Sequence, residues 1–163
     1  MKNLSNTFTV ATVLGSLAFF ASTQAVAEYR VSAFSATKGF SALINDNLAS
    51  AEQVFANRDI STLDYSAANN LCVTQILGGE YDAAIASCSY AIPKVRSAFK
   101  HGSLSRRNEV KAAIYSNLAV AKAMNGDLTG AQTDLGKALA LNARDKNAVQ
   151  NKGYITNEKL VSS

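Results

Sequence analysis

The chain repeats a short segment of itself, and this repeat constrains the fold more than any other feature of the sequence. Asn-Leu-Cys-Val at residues 70–73 returns 47 residues later as Asn-Leu-Ala-Val at residues 117–120. A glycine and an alanine follow each copy at the same offsets: Gly79 and Ala84, then Gly126 and Ala131. Each unit of a repeat protein packs against its neighbours along the chain. We therefore predict a repeat architecture for the domain.

The apolar residues of both copies follow helical spacing. Between the turn at Gly79 and the only proline, one stripe holds Ala84, Ile85, Cys88, Ala91 and Ile92. Offsets of three, four and seven residues place such side chains on one face of a helix. No sustained Val- and Ile-rich alternation of period two, which indicates strands, is found. We predict an all-α domain of antiparallel helix-turn-helix repeats with a C-terminal capping helix.

These residues resemble the tetratricopeptide repeat, whose pattern runs aromatic, Leu-Gly, Tyr, Ala, bulky residue, Ala and a closing Pro over 34 residues. Tyr115 stands at the aromatic position, and four alanines match the pattern: Ala84, Ala91, Ala131 and Ala138. Ala68 replaces the first aromatic, Gln75 and Lys122 replace the Tyr, and both copies lack the closing Pro. The resemblance implies a short superhelix that binds protein or peptide on its concave face.

The repeat divides the chain into parts. We assign a signal peptide to 1–27, the helical repeat domain to 28–163, a degenerate repeat to 34–58, full repeats to 66–92 and 106–142, a basic insert to 93–105 and the capping helix to 145–160. The insert could form a short helix followed by a loop, or the two flanking helices could simply be longer. Because proline disfavours helical geometry in the residue before it, we expect the preceding helix to stop or kink at Ile92.

The first residues have the pattern of an export signal. Lys2 precedes an apolar stretch from Phe8 to Ala21, and Ala25-Val26-Ala27 provides the small residues of a cleavage site. A transmembrane anchor is the alternative, but the run of about 14 residues is shorter than the roughly 20 that a spanning helix needs. We expect a mature chain from Glu28 in the periplasm, or secreted, without a membrane span.

Three asparagines hold equivalent positions in successive first helices: Asn70, Asn117 and Asn151. In proteins that this chain resembles, such an Asn hydrogen-bonds the backbone of an extended peptide, because its amide both donates and accepts. Apolar residues lie three positions further on: Val73, Val120 and Tyr154. We predict that these six residues form a partner-binding face. Alternatively, the amides satisfy neighbouring backbone groups and the apolar side chains pack against the next repeat.

Cys72 and Cys88 are the two cysteines of the chain. Both fall on facing helices of one repeat, so a disulfide between them is the favoured prediction, and it would stabilise the fold by about 3 kcal/mol. Two buried free thiols are the alternative. A redox-active pair has the least support, because the Cys-x-x-Cys spacing is missing.

The insert and its flanks concentrate basic charge in Lys94, Arg96, Lys100, Arg106, Arg107 and Lys111. This basic patch either meets anionic headgroups, cell-wall polymers or an acidic protein face, or is simply solvated. The net charge of the whole chain, +4, is too small by itself to imply a nucleic-acid partner.

His101 is the only histidine, and no residues at ligand spacing accompany it. The sequence therefore predicts no metal, no cofactor and no enzymatic activity. We expect a non-catalytic, monomeric scaffold that binds a protein or peptide of the bacterial cell envelope. The alternatives are an accessory factor that binds anionic envelope surfaces through the insert, and a thiol redox protein.

Overall fold

The computed structural model describes residues 29–35 and 37–162. The predicted signal peptide, residues 1–27, lies outside the described residues. Seven α-helices follow one another in this part of the chain: α1 (Phe40–Ile44), α2 (Leu48–Phe55), α3 (Tyr65–Leu77), α4 (Tyr81–Ala98), α5 (Leu104–Met124), α6 (Leu128–Leu141) and α7 (Lys146–Ser162). A 3-10 turn, Ile60–Thr62, precedes α3, and the described residues form no strand. The prediction of an all-α domain is confirmed.

Side-chain caps and glycine turns set the ends of these helices. Asp64 and Asp127 accept hydrogen bonds from backbone N–H groups in the first turns of α3 and α6, and Asp145 does the same for α7. Such caps satisfy N–H groups that have no partner within the helix. Gly79 and Gly126, with φ of 78° and 87°, make the same left-handed turn after α3 and after α5. Each short turn reverses the chain and produces a pair of packed helices.

One hydrophobic core runs through the main helices. Packed neighbours are α3 with α4, α4 with α5, α5 with α6, and α7 with both α5 and α6. Ala84 and Ala131, the alanines at the repeated offset, are fully buried. Because a methyl group occupies little space, the two helices of a pair can approach closely at these positions. Within the described residues no helix is long and apolar enough to cross a bilayer.

The predicted stop at Ile92 is wrong, because α4 continues through Pro93 to Ala98. Ala91 and Val95 on either side of the proline are fully buried, so tertiary packing holds this part of the helix together against the loss of one backbone hydrogen bond. Since α5 already begins at Leu104, the 13 additional residues of the first repeat mainly lengthen the two flanking helices, which is the second of the two alternatives.

The predicted degenerate repeat, residues 34–58, contains only two short helices, α1 and α2. Ala51 and Phe55 of α2 are buried. Before α1, Gly39 has φ of 80°, and a Cβ atom there would lie 2.6 Å from the ring of Phe55. Residues 29–35, ahead of this tight turn, take up an extended path instead of a first helix.

Candidate functional site

The N-terminal residues 29–35, which we call the strap, lie across the main helices. Arg30 contacts α7, Ser32 contacts α5, and Phe34 contacts α3, so the strap runs in the opposite direction to the order of these helices in the chain. Its hydrogen bonds reach residues up to 121 positions away in the sequence. The face of α3, α5 and α7 that it covers is the face of the three predicted asparagines.

Asn70, Asn117 and Asn151, which we call the asparagine row, each hold one strap residue by two hydrogen bonds. The side-chain Oδ1 atoms accept from the backbone N–H groups of Phe34, Ser32 and Arg30, at 2.7, 2.8 and 2.8 Å. The Nδ2 atoms donate to the carbonyls of the same three residues, at 3.0, 2.9 and 2.7 Å. Each asparagine of the row therefore contacts the main chain of its strap residue, and the three contacted residues alternate along an extended segment.

Polar residues on α3 and α5 hydrogen-bond the amides of Asn117 and Asn151. Asn117 Nδ2 also donates to Asn69 Oδ1 at 2.8 Å, and Asn151 Nδ2 donates to Ser116 Oγ at 3.1 Å. All four residues are fully buried. Because Asn69 Oδ1 only accepts, the amide of Asn117 must present its nitrogen there and its oxygen to the strap. Asn69 and the strap together therefore fix the orientation of Asn117.

The first member of the row lacks such a neighbour. Asn70 Nδ2 instead donates to the carbonyl of Lys38, at 3.1 Å, in the turn that follows the strap. Two more asparagines strengthen the centre: Asn69 Nδ2 donates to the carbonyl of Ser32 at 2.8 Å, and Asn147 Nδ2 donates to Ser32 Oγ at 2.9 Å. Ser32 is therefore the most heavily bonded residue of the strap.

Aromatic side chains anchor the strap near both of its ends. Tyr29 is buried and meets Tyr154 edge-on, with ring centroids 5.9 Å apart. Phe34 packs on Tyr65, whose ring lies 6.0 Å away. Burial, with a smaller contribution from the charge of Asp64, raises the pKa of Tyr65.

Val31 and Ala33 of the strap pack on a small buried cluster formed by Leu43, Ala51 and Val73. Val73 therefore lies beneath the strap, whereas Val120 belongs to the main core and is 1% exposed. Both valines are buried and neither contributes to an exposed apolar surface. Tyr154, the third apolar residue of the predicted face, contacts the strap directly through its ring.

Cys72 and Cys88 form a disulfide between α3 and α4, with Cα atoms 5.3 Å apart, as predicted. Both residues are fully buried. One turn away, Ser87 Oγ donates to Gln75 Oε1 at 2.7 Å, so two side-chain links join the same pair of helices. These links stiffen the pair that carries Asn69 and Asn70.

Helices α5 and α6 are joined by an ion cluster around a buried acid. Asp134, 1% exposed, pairs with Lys122 at 2.6 Å and with Lys137 at 2.7 Å, while the two lysine side chains are 24% and 51% exposed. Its hydrogen bond and its negative charge raise the pKa of Lys137 above the usual 10.5. A buried carboxylate is tolerated here because two cations neutralise it.

The six basic residues of the predicted patch do not form one uniform surface. Arg96, Arg107 and Lys111 line a surface depression of about 350 Å³ together with Asn108 and Leu141. Elsewhere Arg106 pairs with Glu109 at 3.1 Å, and the ammonium of Lys94 lies 4.4 Å from the centroid of the Tyr90 ring. Lys100 is exposed at the end of α4. The structure brings three of the six cations together.

Across residues 29–35 and 37–162, no group of three or more His, Cys, Asp or Glu side chains could hold a metal ion. Comparisons with protein families, with curated proteins and with solved structures give no match for this chain.

Sequence reasoning missed the strap and three residues around it: Asn69, Ser116 and Asn147. A weak signal was present, because residues 30–33 alternate polar and apolar as Arg-Val-Ser-Ala. Alternation over four to eight residues is typical of an extended segment with two unlike faces. An alternation of four residues is too short to stand out from the helical pattern of the rest of the chain.

Proposed function

We propose that this protein is a non-catalytic binding module of the bacterial cell envelope, built from degenerate tetratricopeptide-like repeats. It would hold an extended segment of a partner protein against the asparagine row. The observation that supports this proposal is the bidentate contact of Asn70, Asn117 and Asn151 with alternate residues of the strap. The same amides would bind any backbone that follows the same path.

The spacing of the row favours an extended ligand. Residues 30, 32 and 34 are two positions apart, and two residues of an extended chain advance by roughly 6.6 Å. A helical ligand would advance only about 3 Å over two residues, and its backbone N–H and C=O groups would already bond each other along the helix axis. Only an extended segment can offer a free N–H and C=O to every asparagine of the row.

The strap is the resident occupant of this face, so a partner must displace it. The apparent affinity of a partner is then reduced by the fraction of molecules in which the face is open. A tethered segment competes at high effective concentration. We therefore expect weak binding by the wild-type chain and stronger binding by a variant with a loosened strap.

Location in the cell envelope rests on the predicted signal and on the disulfide. A buried bond between Cys72 and Cys88 fits a compartment in which disulfides persist. Its complete burial also argues for a structural role and against the thiol redox alternative.

The experiment that tests this proposal loosens the strap without altering the asparagine row. Ser32→Pro removes the N–H that donates to Asn117, and proline tolerates an extended backbone. We expect labelled eight-residue peptides of mixed sequence to bind the full chain carrying Ser32→Pro, as measured by fluorescence polarisation. Adding Asn117→Ala should abolish binding. Adding Asn125→Ala, an exposed asparagine bonded to Asp82, should not.

If the folded Ser32→Pro chain binds none of these peptides, or if Asn117→Ala leaves binding unchanged, the proposal is wrong. Circular dichroism before and after heating establishes that each variant is folded.

A second candidate function is attachment to an anionic surface of the envelope. The observation that favours it is the convergence of Arg96, Arg107 and Lys111 on one depression whose lining contains no acidic side chain. Binding to anionic vesicles should then weaken as salt rises, and the charge reversal Arg107→Glu should abolish it. Retention of vesicle binding by Arg107→Glu at low salt would exclude this site.

A further inference from the structure

We infer that the partner segment has the side-chain pattern of the strap: an aromatic residue, any residue, a branched apolar residue, Ser, a small residue and a second aromatic. It would lie with its N-terminal end on α7 and its C-terminal end on α3. This inference rests on the proposed function and adds the sequence class and the direction of the ligand. The strap serves as a template, because it is a segment already seated on this face.

The direction follows from the oriented amide of Asn117. Asn69 Oδ1 accepts from Asn117 Nδ2 while Asn69 Nδ2 donates to the Ser32 carbonyl, so Asn117 cannot flip alone without losing a buried hydrogen bond. A segment running the other way would exchange its N–H and C=O positions. At Asn117 the carbonyl would then face Oδ1 and the N–H would face Nδ2, which leaves buried groups without partners.

The two aromatic positions follow from the ends of the strap. Tyr154 receives Tyr29, and Tyr65 receives Phe34. Tyr65 also packs on Phe99, at a centroid distance of 5.7 Å, which holds its ring in place. Aromatic pairs of this geometry add to the free energy of burial, so both positions should select an aromatic residue.

The interior of the pattern follows from the contacts of the three central side chains. Val31 and Ala33, both half-buried, pack on the cluster of Leu43, Ala51 and Val73, where a charged residue would lose these apolar contacts. Ser32 Oγ accepts from Asn147 Nδ2 at 2.9 Å, and replacement by an apolar residue would leave that amide with only a weak contact of 3.4 Å to the Val31 carbonyl. Arg30 is exposed and places no demand on its position.

We assign this ligand to another protein and not to a second copy of this chain. The strap of a second copy brings the same contacts as the resident strap but lacks its tether, so it should lose the competition at ordinary concentrations. A foreign segment can bind more tightly than the strap, because Val31, Ala33 and Phe34 are only half-buried and larger side chains at these positions would add contacts.

The test compares peptides on the full chain with Ser32→Pro, again by fluorescence polarisation. The probe is a labelled peptide with the sequence of residues 28–35, Glu-Tyr-Arg-Val-Ser-Ala-Phe-Ser. The competitors are a scrambled peptide of the same composition, a peptide of reversed sequence, and one with both aromatics changed to Ala. We expect the matched peptide to bind at least ten-fold more tightly than each competitor. Ser35→Pro, at an exposed strap residue, is the control variant and should bind as weakly as wild type.

The outcomes separate this inference from the proposed function. Equal binding of all four peptides overturns the pattern and direction while the proposed function stands. Absence of all binding by the folded variant overturns both. Concentration-dependent dimers of the wild-type chain, joined by exchanged straps, would overturn the assignment to another protein. If Ser32→Pro does not fold, Phe34→Ala loosens the same strap and gives the same comparison.

Discussion

Two helix pairs, α3 with α4 and α5 with α6, are each linked by side chains at two equivalent levels along the pair. The chemistry of the links differs between the pairs. At one level the first pair has the Gln75–Ser87 hydrogen bond, and the second has the Lys122–Asp134 ion pair at positions 47 residues later. At the other level the first pair has the disulfide of Cys72 and Cys88, whereas residues 119 and 135 of the second pair are apolar.

The comparison teaches that a repeat preserves the position of a contact more strictly than its chemistry. Side chains at equivalent positions meet because both pairs turn at an equivalent glycine, Gly79 or Gly126. A covalent bond with a neutral hydrogen bond therefore does in one pair what apolar packing with a buried ion cluster does in the other. The following changes test how far these links are equivalent.

The largest effect should come from removing the disulfide. Replacing both Cys72 and Cys88 by Ala should lower the free energy of unfolding by about 3 kcal/mol, because the unfolded chain regains the freedom that the closed loop restricted. Urea unfolding with and without reductant measures this loss. Reductant should have no effect on the double variant, and an unchanged midpoint for reduced wild type would contradict the prediction.

Removing the buried acid of the second pair should have the next largest effect. Asp134→Ala leaves Lys122 and Lys137 without their shared partner and should lower the free energy of unfolding by about 2 kcal/mol, since each lost bond involves charged groups but both lysines can still reach water. Glu109→Ala, which breaks the exposed pair with Arg106, is the control, with an expected loss below about 0.5 kcal/mol. Equal losses for the two variants would show that burial of Asp134 does not matter.

The neutral link of the first pair should contribute less. Ser87→Ala removes the donor to Gln75 and should lower the free energy of unfolding by about 1 kcal/mol, as expected for a neutral hydrogen bond. Thermal unfolding of Ser87→Ala and Asp134→Ala under the same conditions compares their losses in the free energy of unfolding. A loss for Ser87→Ala as large as that for Asp134→Ala would mean that charge adds nothing at this level.

The smallest effect concerns alkaline pH. Because the pKa of Lys137 is raised by Asp134, its contribution to stability is fully present below the usual value of 10.5 and is lost as pH rises through the higher folded value. Lys137→Met lacks this contribution, so the difference in unfolding temperature between wild type and variant should shrink above about pH 10.5. A difference that stays constant through this range would show that the ion pair does not couple to folding.

The sequence indicated the positions of the asparagines and their bonding to an extended backbone, but not that the chain's own strap provides this backbone. The repeat aligned Asn70, Asn117 and Asn151, and helical spacing put them on successive first helices. The sequence could not show that residues 29–35 cover them, because the strap meets α7 across 121 positions and no local pattern encodes such a pairing. Asn69 and Ser116 were equally hidden, since their role requires two neighbouring helices to be in place.

The sequence by itself determined the helical class, the glycine turns, the alignment of the asparagines and the pairing of the cysteines. Each of these follows from spacing along one chain segment, because a helix converts offsets of three or four residues into contact. Only the tertiary structure decided that α4 passes through Pro93, that Asp134 is buried between two lysines, and that the strap occupies the asparagine row. These features depend on what distant segments bring to the same place, where burial and hydrogen bonding outweigh local preference.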